Sequence, residues 1–512
     1  MNENLYDVLA DGFPSDRART VMELEDGSHL SYADLEAQAG RYAALLIALG
    51  VEPGDRVAVQ TDKSANAVFL YLGVVKMGAV YLPLNVGYTG AEIAYFLSDA
   101  TPALVVCRPE SEAALREIAT KSGVPHVHTM DAAGGGSLTD AASDLAPVIQ
   151  SHPAAAGDLA AILYTSGTTG RSKGAMLTHG NLSSNALALK DLWGFRPGDR
   201  LLHMLPIFHV HGLFVAINTT LANGSEMVFL PKFDAARALE LLPRCSVMMG
   251  VPTFYVRLLA EAGFTREVAA GIRLFVSGSA PLLEETFEAF EQRIGQRILE
   301  RYGMTECGMI TSNPYAETPE WQRRAGTVGF ALPDVEVRVA DENGRVLERE
   351  EIGVLEVKGP NVFKGYWQMP EKTAEEFRPD GFFATGDMSK IDTEGYVHIV
   401  GRAKDLVISG GYNVYPKEIE LVIDALPGVA ESAVVGLPHP DFGEAVTAVV
   451  KRSTLDGGEI AEEAIIEACT KDLARFKVPK RVFFVEDLPR NTMGKVQKAE
   501  LRKTYGETFR AA

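Results

Sequence analysis

From Ala161 to Gly174 the chain reads AILYTSGTTGRSKG, and almost every residue of its second half could bind an anion. Gly167, Gly170 and Gly174 let the backbone bend close to a ligand, so that main-chain N–H groups can converge on oxygen atoms. Thr165, Ser166, Thr168 and Thr169 add hydroxyl donors, and Lys173 adds one mobile positive charge. Such a loop suits a chain of phosphates. A flexible Gly/Ser linker has similar composition, but a linker needs neither the strand-like run Ile162 to Tyr164 before it nor a single Lys at its end. The spacing is GxxGxxKG and the short apolar run Ala175 to Leu177 follows, where the phosphate loop of GTPases and simple ATPases has GxxxxGK[ST] and a long helix.

Seven further stretches carry groups of chemical interest. PIFHVHG sets His209 and His211 two residues apart; no third ligand lies nearby, which makes a metal the weaker reading. VPTFYVRLL contains Arg257, and RLFVSGSAPL ends a strand at Ser277, Gly278, Ser279 and Ala280. In ERYGMTE, an aromatic face, a hydroxyl and a carboxylate suit a base, a phosphate and a hard divalent ion in turn. DGFFATGDMSKID offers Asp387 as an acceptor for ribose hydroxyls, although Asp is also a common turn residue. GRAKDLVISGGYNVYPKEIE and the basic segment LPRNTMGKVQK, with Lys495 beside a Gly, complete the set. Read alone, ERYGMTE is a capped turn and Lys495 a solvated surface residue.

Taken together and in order, these stretches resemble the signatures of the adenylate-forming superfamily of acyl-CoA synthetases, peptide-synthetase adenylation domains and luciferases. Ser172 stands where that family usually has Pro. The resemblance implies ATP, Mg²⁺ and coenzyme A, the last as a substrate. It implies that the nucleotide is bound by the phosphate loop from Thr165 to Gly170 with Lys173, by Gly278, Ser279 and Ala280, by Glu300, Arg301, Tyr302, Gly303, Met304 and Thr305, and by Asp387, Arg402 and Lys495. Tyr302 would stack on adenine, Thr305 would bond the α-phosphate, Glu306 would hold Mg²⁺ and Asp387 the ribose. Lys173, Thr305, Glu306 and Lys495 are the implied catalytic group. Lys404 would be a hinge, and Gly410, Gly411 and Tyr412 would form a passage for coenzyme A. His209 would lie beside the substrate carboxylate.

Arg257 and Arg301 suggest which acid is used. An Arg in an apolar pocket is costly unless it meets an anion, and a dicarboxylate has a second carboxylate to offer. The runs AILYTSGTTGRSKGAMLTHGNL, SNPYAETPEWQRRAGTVG and LPRNTMGKVQK are most similar to malonyl-CoA synthetases, which implies malonate, held by Arg257, Arg301 and Ser279 with Met304 as pliable wall, and methylmalonate as a plausible second substrate. A short-chain, medium-chain or aromatic acyl-CoA synthetase would need both arginines to point away. A non-catalytic nucleotide-binding regulator would not need both Lys173 and Lys495.

The elements that position these groups read as α/β. At 512 residues the chain exceeds one compact core. Residues 28 to 150 alternate short strands with helical periods: Ser31 precedes a helix that Gly50 stops, Arg56 to Gln60 is a strand, and Ala67 to Met77 a helix. Ala132 to Ala156 reads as loop, and a strand is expected over Gln296 to Leu299. Residues 325 to 400 suggest a small β-barrel-like region. The expected organisation is a large N-terminal domain of mixed sheets covered by helices over 1–401, and a small, mobile α+β domain over 402–512. The net charge of -19 argues against nucleic acid or an anionic membrane as a standing partner. No signal peptide or spanning apolar run is visible, and Cys107, Cys245, Cys307 and Cys469 lie in no metal-ligand spacing, so a cytoplasmic protein acting on small molecules, with no obligate protein partner, is expected.

Overall fold

Helix Tyr32–Ala48 starts where its sequence can satisfy its free N–H groups. The Ser31 hydroxyl accepts from the Asp34 amide and the Asp34 carboxylate from the Ser31 amide. Gly50 follows its end with φ 75°, a left-handed turn that suits glycine. In the computed structural model, which describes residues 2–165, 172–409, 412–453, 460–491 and 494–509, this helix packs on helix Ala65–Lys76 beside a six-stranded sheet.

That sheet runs in the order His126–Thr129, Leu104–Cys107, Arg56–Gln60, Val80–Pro83, Leu159–Thr165, Lys173–Thr178. All neighbours are parallel except the last pair, an antiparallel hairpin whose connection is the Gly/Ser/Thr loop. A nine-stranded sheet holds Leu274–Ser277, Leu299–Met304 and Gly308–Ser312 side by side. Strands LVVC, VMMG and LFVS are buried along their whole length, as continuous apolar runs covered on both faces must be. One apolar cluster takes Val57 and Leu163 from the first sheet and Met227, Val247 and Val276 from the second, so the two sheets share a core.

A four-stranded antiparallel sheet, Glu336–Ala340, Gly353–Lys358, Phe383–Ile391 and Val397–Arg402, follows. It is open, not the expected barrel-like closure. The Val397 edge instead bonds to the segment at Val328 and Gly329, which occupies the groups that closure would have used. Across the 3-10 turn Ala403–Asp405 the chain enters a five-stranded sheet with its own core of Val407, Ile419, Val434, Val450 and Ile465.

Two sequence-based boundaries move. The Gly- and Ala-rich stretch contains a helix, Ser137–Ser143, which buries Leu138 and Ala142 one turn apart. The strand expected to end at Leu299 instead begins there and runs through the ERYGM motif to Met304, because pairing with Gly308–Ser312 extends it.

Candidate active site

The hairpin Leu159–Thr165 and Lys173–Thr178 places Lys173 opposite Thr165, so the Lys lies at the mouth of the phosphate loop. Ser166, Gly167, Thr168, Thr169 and Gly170 lie outside the described residues. Lys173 is only 8 % exposed, and its Nζ donates to Glu376 Oε1 at 2.9 Å while sitting 4.0 Å from the centre of the Tyr366 ring. The Tyr366 hydroxyl lies 2.7 Å from Glu376 Oε2 and 3.1 Å from Glu306 Oε1. Lys372 completes the group, with Nζ 3.2 Å from Glu376 Oε1. Burial works to raise the Glu376 carboxyl, but the Tyr366 hydroxyl and Lys173 outweigh it and hold the group below its ordinary range. Burial raises that of Glu306. Tyr366 and Glu376 were not singled out in the sequence: Tyr366 arrives because residues 364–367 run alongside the Lys173 strand, with Met176 donating to the Gly365 carbonyl and Trp367 to that of Gly174.

Leu299–Met304 and Gly308–Ser312 form a second hairpin, with Thr305 and Glu306 in its turn. A Cβ on Gly303 would fall 2.1 Å from the Gly308 carbonyl oxygen, so only glycine permits this crossing. Tyr302 donates from its hydroxyl to Asp387 Oδ2 at 2.5 Å, and Arg402 Nε lies 3.1 Å from Asp387 Oδ1. Asp387 and Arg402 are register partners on adjacent strands. The structure thus joins the three residues expected at the base and ribose. Glu306, 6 % exposed, offers the hard oxygen donor that a divalent cation needs beside phosphates, and such a cation would offset the cost of its buried charge.

The expected acyl end is built around Arg301. Its side chain crosses Gly278 so closely that a Cβ there would lie 2.4 Å from a guanidinium nitrogen. Arg301 is 2 % exposed, and its Nε and one terminal nitrogen have no hydrogen-bond partner among the described residues. Burial lowers its pKa to about 9. Around it stand His209, which burial, Lys495 and Arg301 push down to about 3, and His211, pushed well below its ordinary value by burial and the same Arg. Both imidazoles are therefore neutral at pH 7. His211 Nδ1 is 3.1 Å from Ser279 Oγ, and His211 Nε2 is buried with no partner among the described residues. Ser279 itself has φ 71°, a strained conformation for a residue with a Cβ. Met304 and Thr305, three and four residues beyond Arg301, are half-buried. Among the described residues His209 and His211 gather no third metal-type ligand.

Arg257 is placed elsewhere. Helix Pro252–Ala260 buries Pro252, Tyr255 and Leu258, a stripe at helical spacing, and Arg257 lies off that stripe, exposed in a shallow groove with Phe233, Asp234 and Glu261. Of the two arginines expected in one pocket, Arg301 is buried and Arg257 is exposed on another face. Arg257→Ala is accordingly expected to leave kcat/KM for the acid within about twofold, as surface substitutions do; steady-state kinetics on the purified variant check this.

The C-terminal sheet delivers the last residue. Asn491 and Lys495 exchange bonds across a tight turn in which Gly494 has φ 77°, and Gly494 comes within contact of Thr253 on the large domain. Lys495 there lies in the field of Arg402, Asp387, Glu306 and Arg301, and burial and Arg402 lower its pKa to about 8. Arg502 pairs with Asp405 at 2.8 Å across the linker. Lys404 is exposed on the connecting turn. Tyr412 is 60 % exposed and stacks on Phe476 at 4.7 Å; Gly410 and Gly411 lie outside the described residues.

Comparison with known proteins agrees with this assembly. Residues 8–367 match the AMP-binding enzyme family and residues 418–495 the AMP-binding enzyme C-terminal domain. The fold is similar to that of ATP-bound MatB from Rhodopseudomonas palustris, with a TM-score of 0.96, 56% identity and full coverage of both chains. A long-chain-fatty-acid–CoA ligase of Mycobacterium tuberculosis is 35% identical over 96% of this chain and 97% of its own. A malonate–CoA ligase of Arabidopsis thaliana is 35% identical over 94% of this chain and 85% of its own.

Proposed function

The chain belongs to the AMP-binding enzyme family, and from that premise we propose that it joins malonate to coenzyme A, converting ATP to AMP and pyrophosphate through a malonyl-adenylate. The observation that carries the choice of acid is the buried Arg301 guanidinium, two of whose nitrogens have no partner among the described residues. An unpaired buried charge is expensive, and the second carboxylate of a short diacid offsets that cost with charge-assisted hydrogen bonds. A long aliphatic tail would leave the charge unmet. Neutral His211 and Ser279 add donors at the same end without adding charge.

A carboxylate is a poor acylating agent because its leaving group would be oxide. In the first step a carboxylate oxygen attacks the α-phosphorus and pyrophosphate departs, a reaction in which the protein mainly positions groups and balances charge. Tyr302, Asp387 and Arg402 hold base and ribose, Lys173 and the loop hydroxyls the outer phosphates, and Thr305 the α-phosphate. Glu306 would hold Mg²⁺, which when bound neutralises phosphate charge. Lys495 stands between the two anions that must meet. In the second step the coenzyme A thiol attacks the acyl carbon and AMP leaves. For this the C-terminal domain turns about Lys404, withdrawing Lys495 and bringing the segment at Tyr412 to the adenylate. Methylmalonate is a second substrate, since one methyl group usually changes specificity by only roughly ten- to two-hundredfold.

Pyrophosphate release with ATP, Mg²⁺ and coenzyme A is the test, run with malonate, methylmalonate, succinate, acetate, butyrate, octanoate and benzoate. Malonate is expected to lead in kcat/KM. Preference for octanoate or benzoate would keep the ligase and remove the diacid.

A further inference from the structure

Lys173 is expected to bind phosphate, yet here it is already neutralised by an acid of its own fold. Its Nζ is 2.9 Å from Glu376, a residue 203 positions away that belongs to helix Pro370–Glu376 and not to the phosphate loop. The pairing has the features of one made to be exchanged. Glu376 does not depend on Lys173, because the Tyr366 hydroxyl at 2.7 Å and Lys372 at 3.2 Å still meet it once Lys173 leaves. Lys173 does not depend wholly on Glu376 either. Its backbone is fixed in a strand, and the face of Tyr366, 4.0 Å away, stabilises the ammonium at any point of a short swing. Glu376 is also held ionised, by Tyr366 and Lys173 against the cost of burial, so it opposes any polyphosphate brought close to it.

We propose that Glu376 is the resting counter-ion of Lys173 and that ATP displaces it, Lys173 exchanging carboxylate for the β- and γ-phosphates. Glu376 is then a positioning residue. It keeps Lys173 folded and aimed in the empty enzyme and lowers affinity for the nucleotide by the free energy of the pair that must be broken. This rests on the reading of ATP as substrate.

The sign of the effect makes it testable, since loss of a merely structural contact weakens binding and loss of a competitor strengthens it. Calorimetric titration of ATP with Mg²⁺, without acid or coenzyme A so that nothing turns over, is compared in wild type and Glu376→Gln, which keeps the shape and the Tyr366 hydrogen bond. Expected is a Kd for ATP lower by roughly five- to twentyfold, the range of ordinary coupling between ligands that compete for one group. AMP, which lacks the β- and γ-phosphates, should bind both proteins alike. The nucleotide-free variant should melt at lower temperature than wild type, and ATP should raise its melting temperature by more. Unchanged or weaker ATP binding by a variant that melts cooperatively overturns the inference, as does equal tightening of AMP. Should Glu376→Gln fail to fold, Glu376→Asp, whose shorter arm lengthens the pair, is read by the same comparison of ATP against AMP. Wild type that binds no ATP removes the nucleotide reading and this inference with it; wild type that binds ATP beside an unaltered variant removes the inference alone.

Discussion

Lys495→Ala enzyme is expected to form acyl-adenylate roughly 10²–10³-fold more slowly than wild type, the usual cost of removing one preorganised group from developing charge. Conversion of preformed acyl-adenylate to thioester should stay within a few-fold. The asymmetry follows from where the residue sits. Lys495 arrives on a turn of the C-terminal domain and shares its surroundings with Arg402, Asp387, Glu306 and Arg301, where carboxylate and α-phosphate must approach each other. On the proposed turn of the domain for the thiol step, the same residue would be elsewhere. The charge also predicts a pH limb. Burial and Arg402 lower the ammonium to about 8, so it is protonated below that pH and loses its charge as pH rises through it. The rate of ATP–pyrophosphate exchange should therefore fall with a midpoint near 8, and the thioester step should not share that limb. Equal loss of both steps in the variant, or exchange that is flat across this range, would remove Lys495 from the first step.

Arg301→Leu is the second large effect. With malonate, kcat/KM should drop by about 2–5 kcal/mol, or roughly thirtyfold to several-thousandfold, the range for losing one partner of a buried charge pair. Butyrate, which offers an ethyl group where malonate offers a carboxylate, should lose nothing and gain. The gain separates a specificity role from damage, because removing an unpaired buried charge from an apolar wall favours an apolar substrate. Parallel losses on both acids, or full malonate activity in the variant, would sink the assignment. The variant should fold at least as well as wild type, since two of the Arg301 guanidinium nitrogens have no hydrogen-bond partner among the described residues.

Much of the candidate site was legible because its residues fall in short contiguous runs. Glycines that admit a hairpin crossing, such as Gly303, and an aromatic and an acid that meet from two different sheets, such as Tyr302 and Asp387, announce themselves by residue type. Arg301 was legible too, as one of two arginines in segments expected to border the acyl pocket, although the strand that carries it was expected to end at Leu299. Arg257 was misplaced although the signal existed: Pro252, Tyr255 and Leu258 mark the buried stripe of its helix, and a count of helical spacing turns Arg257 outward. Glu376 and Tyr366 were not legible. PEKTAEEF has the composition of any solvated helix, and only the long-range pairing of Tyr366 with Ala175 brings it to Lys173. Nor does composition announce that His211 opens a π-helix, His211–Ile217, in a stretch buried throughout.

The contact between Gly278 and the Arg301 guanidinium also orders the routes by which such a pocket can change its acid. A methyl at position 278 collides with Arg301, so Gly278→Ala arising first is penalised in the ancestral pocket. After Arg301 has gone, the same substitution meets vacated space and fills it. The two changes are therefore expected to show sign epistasis, the route from the proposed diacid pocket to a monoacid pocket being easier in one order than in the other. A library randomised at 278 alone would report an immutable glycine, and one randomised at both positions together would reveal that its constraint belongs to the arginine.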